Sequence, residues 1–183
     1  MAYFPIFVDL KDKEIIVIGA GEVAYRKIET LLPFGPKITV IAKNAIKEIE
    51  NLFELNKLNL KIKAFDETDI ENDPFLIIIA INDLALQEKI AIICKDRKIL
   101  VNAVDSPKYC NFIFGSIIHK KDLVIGINTS SKAPAVSKAL KKHILSYLPD
   151  NIDKLIETVN SLRKVDAKTM DSIIKGFFKN ERN

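Results

Sequence analysis

The stretch Ile15-Ile16-Val17-Ile18-Gly19-Ala20-Gly21-Glu22-Val23-Ala24-Tyr25-Arg26-Lys27 constrains this chain more than any other. Its apolar run, Ile15 to Ile18, reads as a strand buried on both faces, as in a parallel sheet. The run leads directly into Gly-x-Gly-x-x-Ala. A helical pattern follows, with Val23, Lys27 and Leu31 on one side and Ala24, Ile28 and Leu32 beside it. Each small residue has a task in such a bend. Gly19 permits a sharp strand-to-helix turn, Gly21 lets a pyrophosphate approach the backbone, and Ala24 lets the helix sit close to the sheet. The first-turn N–H groups, from Glu22, Val23 and Ala24, and the positive end of the helix dipole then face the phosphates. Dinucleotide binding is the expectation. A tight turn that binds nothing is the simpler reading of the same residues.

The remaining pattern supports a sheet fed by helices. Tyr3 to Val8 reads as an edge strand or extended segment, because Pro5 cannot donate to a ladder. Strands are expected at 37–42, 60–65, 75–81 and 99–104. Helices are expected from 22 to about 32, at 44–56 with Ile46, Ile49, Leu52 and Phe53 inward, and at 84–97. The acidic run Asp66 to Asp73 reads as a solvated loop with a short helical turn. Alternation of strand and helix from 15 to 104 predicts an α/β fold, a Rossmann-type doubly wound parallel sheet, over residues 1–111. The pattern then changes. Two strands, 112–118 and 123–129, flank a turn at 119–122, and a basic amphipathic helix runs over 135–148. Together they form a small α+β segment, 112–148. Helices at 151–164 and 168–179 make a C-terminal helical region, 149–183.

Ligands of such sheets sit beyond the carboxyl ends of the strands. The bend, Ala42 to Asn44, Asn82-Asp83 and Asp105 all fall there, so one crevice can collect them. The acidic ribose ligand usual after the second strand is absent; Ala42-Lys43-Asn44 stands in its place. Lys43 suits a 2′-phosphate or is simply solvated, and Asn44 suits a ribose hydroxyl. Asn82 and Asp83 either contact the ribose or nicotinamide side or simply cap the end of the strand. Asp105, beside Ser106-Pro107, is the acid–base candidate, with turn-capping as its alternative. The histidines, His119 and His143, read as a hairpin-turn and a helix-surface residue, and they lack partners at ligand spacing, so no metal site is expected. Cys94 and Cys110 read as free thiols. Tyr3, Tyr25, Tyr109 and Tyr147 all lack a lysine four residues on, which removes the short-chain dehydrogenase signature, and no phosphate-binding P-loop occurs. A net charge of +4 permits an acidic ligand without demanding nucleic acid. With no signal pattern and no apolar run near 18 residues, the expectation is a cytoplasmic protein with neither membrane nor nucleic-acid partner.

Several motifs, in order and at spacing, resemble the N-terminal module of siroheme synthases. They are Tyr3-Phe4-Pro5-Ile6-Phe7; the bend from Gly19 to Ala24 with Arg26-Lys27; Val101-Asn102-Ala103-Val104-Asp105-x-Pro107; Asn111-Phe112-Ile113-Phe114; and Leu123-Val124-Ile125-Gly126-Ile127-x-Thr129. These proteins are precorrin-2 dehydrogenases, some also sirohydrochlorin ferrochelatases. The resemblance implies NAD-dependent oxidation of precorrin-2 to sirohydrochlorin. It implies a homodimer whose segment 112–148 makes the interface and helps form the tetrapyrrole site. The family's catalytic aspartate falls on Asp105 and its hydroxyl residue on Thr129. Lys132, with Lys108, Lys138, Lys141 and Lys142, is a candidate for the substrate's carboxylates. Gly115 departs from the family's usual Pro, and Ser130-Ser131-Lys132-Ala133-Pro134 from its usual Gly-Gly followed by Ser-Pro. Uroporphyrinogen methylation is expected in another protein. The alternative from a different class is an NAD(H)-sensing regulatory module without catalysis.

Overall fold

Strand β1 (Glu14–Ile18) lies at the middle of a five-stranded parallel sheet. The computed structural model describes residues 3–162 and 166–180, which divide at Phe114 and Gly115 into two compact units. In the first, β1 pairs on one side with β2 (Lys37–Ala42) and on the other with β4 (Leu76–Ile79). The edges are β3 (Asn59–Ile62) and β5 (Leu100–Ala103), giving the order β3-β2-β1-β4-β5. The chain first builds outward from β1 on one side, then returns to build on the other. The strand order therefore reverses between β1 and β4, the place where doubly wound sheets open a crevice.

The two faces of the sheet follow from the period of two along each strand. Ile15, Val17, Ile38, Val40, Leu76 and Ile78 pack on one face with Ala24, Ile28 and Leu31 of α1 (Glu22–Leu31) and Ile49 of α2 (Lys47–Glu54). Ile16, Ile18, Ile41, Ile77, Ile79 and Val101 pack on the other with Ile90 and Cys94 of α3 (Leu84–Asp96) and with Ile70. Continuous apolar strands thus have helices on both sides, as the sequence pattern requires.

The differences from expectation lie at edges. Tyr3 to Val8 forms no ladder, and Phe4 and Phe7 are exposed. Helix α2 is shorter than expected, and Phe53 is exposed rather than inward. The edge strand β3 stops at Ile62, itself exposed, so little sheet remains for Phe53 to cover. The acidic run forms a short 3-10 turn, Glu67–Ile70, with reciprocal capping between Asp66 and Asp69.

The unit from residue 115 opens with a hairpin, β6 (Ser116–Lys120) and β7 (Leu123–Ile127). The first hairpin strand starts later than the 112–118 that the sequence pattern predicts, because residues 110–112 are stitched beside β5. The side chain of Asn111 accepts from Val101 N at 2.7 Å and donates to Ile99 O at 2.8 Å, and Asn102 donates to Phe112 O at 3.1 Å. His119 consequently lies within β6, opposite Val124, rather than in the turn. Helix α4 (Pro134–Tyr147) follows and exposes His143. Then come α5 (Ile152–Ser161) and α6 (Ala167–Asn180). The expected extension of α5 over 163–164 lies outside the described residues.

Candidate functional site

The site begins at the two glycines, which have different reasons to be glycine. Gly19 has φ +106°, and a Cβ there would sit 2.2 Å from the carbonyl oxygen of Ala80. Ala80 N donates to Ile18 O at 2.7 Å and Gly19 N to Ile41 O at 2.9 Å, so three strand ends converge on this residue. The fold itself requires Gly19. Gly21 is the opposite case. Its backbone is extended, φ −96° and ψ −174°, and a Cβ would meet no atom within 4 Å. Nothing inside the protein requires a glycine here; its missing side chain leaves room in front of α1.

That room faces donors. Gly21 is the N-cap of α1 and supplies no side-chain cap, and the first helical bond is Tyr25 N to Gly21 O at 3.0 Å. The amides of Glu22, Val23 and Ala24 are therefore the orphan donors of the first turn. Ala24 is fully buried against the sheet. A cradle that a Cβ would partly fill, fronted by uncapped amides, fits the pyrophosphate of a dinucleotide. The loop after β2 is held beside the bend by Ile46 N donating to Ala20 O at 3.0 Å. Lys43 and Asn44 are exposed on it.

At the end of β4 the alternatives for Asp83 separate. Its Oδ1 accepts from Leu86 N at 3.0 Å, so Asp83 caps α3. Asn82 is exposed beside it. Sequence reading missed Gln87, which lies one turn into α3. Only 3% exposed, it donates through Nε2 to Ile81 O at 2.6 Å and pins the loop after β4.

Asp105 follows β5 in a left-handed conformation, φ +59°, and is exposed. Unlike Asp83, its carboxylate caps nothing among the described residues. The backbone around it is fixed. Val104 N donates to Ile79 O at 2.9 Å and Ser106 N to Ala103 O at 3.3 Å, and Pro107–Tyr109 form a 3-10 turn. The Cys110 thiol folds back to accept from Ala103 N and donate to Ala103 O, each at 3.2 Å; burial raises its pKa. Asp105 is thus a carboxylate held out by a rigid turn.

The second residue missed by sequence reading is Lys27. It is half-buried, with Nζ 4.2 Å from the centroid of the Phe114 ring. Burial lowers its pKa, Arg26 adds to that shift, and the carboxylate of Asp105 opposes it. The signal was present: a lysine four residues after Val23, on a helix whose neighbouring Ala24 and Ile28 are buried.

In the unit from residue 115, Thr129 organises the loop into α4. Its Oγ1 lies 3.1 Å from Ser137 Oγ and accepts from Ala133 N at 3.3 Å. Ser130 and Ser131 both adopt positive φ, +54° and +61°. The serines therefore take the conformation that glycines adopt freely. Lys132 is exposed, and its amide donates to Thr129 O at 3.0 Å. Gly115 approaches the hairpin so closely that a Cβ would lie 2.6 Å from Ile127 O. Among the described residues no group of three His, Cys, Asp or Glu is placed to hold a metal ion, and no helix is long and apolar enough to cross a membrane.

A family model described as "Putative NAD(P)-binding" matches residues 6–116, the whole of the parallel sheet and its helices. The chain belongs to this NAD(P)-binding family. Among curated proteins, the NAD(P)-binding chain is 36% identical over 169 residues to a siroheme synthase of Vesicomyosocius okutanii, which covers 92% of this chain and 36% of the relative. It is 37% identical over 175 residues to a siroheme synthase of Buchnera aphidicola, covering 96% and 37%. The chain thus spans little more than a third of the curated relatives it matches. A solved structure titled "SirC, precorrin-2 dehydrogenase" superposes with a TM-score of 0.71 at 25% identity, covering 94% of this chain and 88% of that one.

Proposed function

We propose that this NAD(P)-binding chain oxidises precorrin-2 to sirohydrochlorin. One observation carries the redox reading: the glycine bend and Asp105 end strands of the same parallel sheet at its carboxyl edge, the bend with open space before α1 and Asp105 with an uncommitted carboxylate. The likeness to siroheme synthases and to SirC supports the substrate.

A nicotinamide cofactor, when bound, supplies the hydride acceptor. The amides of Glu22, Val23 and Ala24, in front of Gly21, would hold its pyrophosphate. Lys43 and Asn44 would serve the adenosine ribose, and Asn82 and Asp83 the nicotinamide side. NAD is the proposed dinucleotide. Asp105 takes the proton that leaves as the macrocycle is oxidised, from a turn that keeps its carboxylate in place. Thr129 and Lys132 are proposed substrate contacts. Residues 112–148 are proposed to pair two copies of the chain, residues 149–183 to form an appended helical region, and the cytoplasm to be its site of action.

The test is anaerobic incubation with precorrin-2 and NAD⁺ or NADP⁺, following NADH or NADPH and the spectrum of sirohydrochlorin. Cofactor reduction matched by sirohydrochlorin is the expected result. NADH binding without turnover or tetrapyrrole affinity establishes a dinucleotide sensor instead. Iron insertion is the second activity raised by the siroheme-synthase likeness; adding ferrous iron to the same reaction, and watching for loss of the sirohydrochlorin spectrum, tests it.

A further inference from the structure

Lys27 is held where a cation is costly. It projects from α1 beside the buried Ala24 and Ile28, and its ammonium lies 4.2 Å from the centre of the Phe114 ring. Among the described residues no carboxylate lies within 4.0 Å of it. Its neighbour Arg26 shows what a merely solvated cation does on this helix: Arg26 is exposed and bonds its own helix at Glu22 O. Burial works against its charge and Arg26 adds to that effect, while Cys110 and Asp105, acting the other way, do not outweigh it. A half-buried ammonium with an aromatic ring against it and no carboxylate in direct contact among the described residues is stabilised when an anion arrives.

Two anions come to such a site, the dinucleotide pyrophosphate and a carboxylate of the substrate. The pyrophosphate has its own donors at the first turn of α1. Lys27 lies further along that helix, about 7.5 Å of axial rise beyond Glu22, and its surroundings, Phe114, Cys110 and Asp105, belong to the segment that follows β5. We propose that Lys27 anchors one carboxylate of the macrocyclic substrate beside Asp105, with Phe114 as an apolar wall. This rests on the dehydrogenase reading above and adds a specificity-determining residue to it. The base and the anchor then face one ligand from two elements, α1 and the turn after β5. Holding a peripheral carboxylate at Lys27 fixes which carbon of the ring is presented to Asp105, a positioning effect rather than a chemical step.

The experiment uses the full chain and three proteins: wild type, Lys27→Met and Lys27→Arg. Methionine keeps the length and the contact with Phe114 without the charge; arginine keeps the charge. Under anaerobic steady state, Lys27→Met raises KM for precorrin-2 about tenfold or more, the loss expected for one charge-assisted hydrogen bond. KM for NAD⁺ stays within about twofold. Equilibrium binding of sirohydrochlorin, read from its spectrum, weakens in parallel, and Lys27→Arg recovers most of the affinity. If Lys27→Met melts early, Lys27→Gln, which keeps a polar head, serves for the same comparison. Unchanged KM for precorrin-2 and unchanged sirohydrochlorin affinity overturn the assignment. So does a rise confined to KM for NAD⁺, which would give the cation to the dinucleotide. Failure of the parent reading looks different: wild type itself neither turns over precorrin-2 nor binds sirohydrochlorin, and the anchor falls with it.

Discussion

Two glycines two residues apart should respond to the same substitution in opposite ways. Gly19→Ala places a methyl group 2.2 Å from Ala80 O, at φ +106°. The left-handed backbone alone costs about 1–2 kcal/mol for a residue with a Cβ. Separating β1 from β4 to relieve the clash costs about 1–3 kcal/mol more. A loss of about 2–5 kcal/mol is a large part of the 5–15 kcal/mol typical of a folded domain, and at about 2–4 °C per kcal/mol for a chain of this size it lowers Tm by about 4–20 °C. Gly21→Ala meets no atom within 4 Å and keeps an ordinary extended backbone. The gain from restricting the unfolded chain, about 0.4–1 kcal/mol, offsets the weaker N-cap, so stability stays within about 1 kcal/mol of wild type. Its methyl instead occupies the phosphate cradle, and NADH affinity falls about tenfold or more, about 1.4 kcal/mol. Thermal melts by circular dichroism and titration by NADH fluorescence separate the two; the chain has 0 Trp, so no indole emission interferes. A Gly19→Ala protein that melts with wild type refutes the strand-convergence argument. A Gly21→Ala protein that binds NADH normally refutes the cradle.

Asp105→Asn keeps the left-handed turn, which asparagine tolerates as well as aspartate, and removes the base. Turnover should drop about 10²–10⁴-fold with NAD⁺ affinity unchanged, and near-normal turnover removes Asp105 from the chemistry. Ser130→Gly and Ser131→Gly should each raise stability by about 0.5–1 kcal/mol, since glycine carries no penalty at φ +54° and +61°; a lowered melting temperature contradicts the strain argument. Burial pushes the Cys94 thiol up to about 11, from an ordinary 9.0. Its folded pKa exceeds its unfolded one, so its contribution to stability is intact below about pH 9 and is lost as pH rises toward 11. Denaturant melts across that window should show stability falling in wild type and a flatter dependence in Cys94→Ala.

Much of the fold can be read along the chain. Continuous apolar strands, the Gly-x-Gly-x-x-Ala bend and the helical spacing between them act over a few residues, through hydrogen bonds and side-chain periods that the local sequence controls. The errors gather where packing partners decide. Phe53 is outside because the edge strand is too short to receive it, and His119 is in a strand because Asn102 and Asn111 hold the preceding segment beside β5. Asp83 and Asp105 both stand at strand ends in the sequence, and nothing local separates a helix cap from a free carboxylate.

By itself, then, the sequence determined the alternation of strand and helix, the double burial of the sheet and the bend that greets a phosphate. Tertiary structure decided which neighbours meet. It brought Ala80 against Gly19, left the space above Gly21 open, freed Asp105 and set Lys27 over Phe114. Local hydrogen bonding forms an element whatever lies beyond it. The surroundings of a side chain depend instead on strands far apart in the chain coming into register, and no short stretch of residues records that outcome.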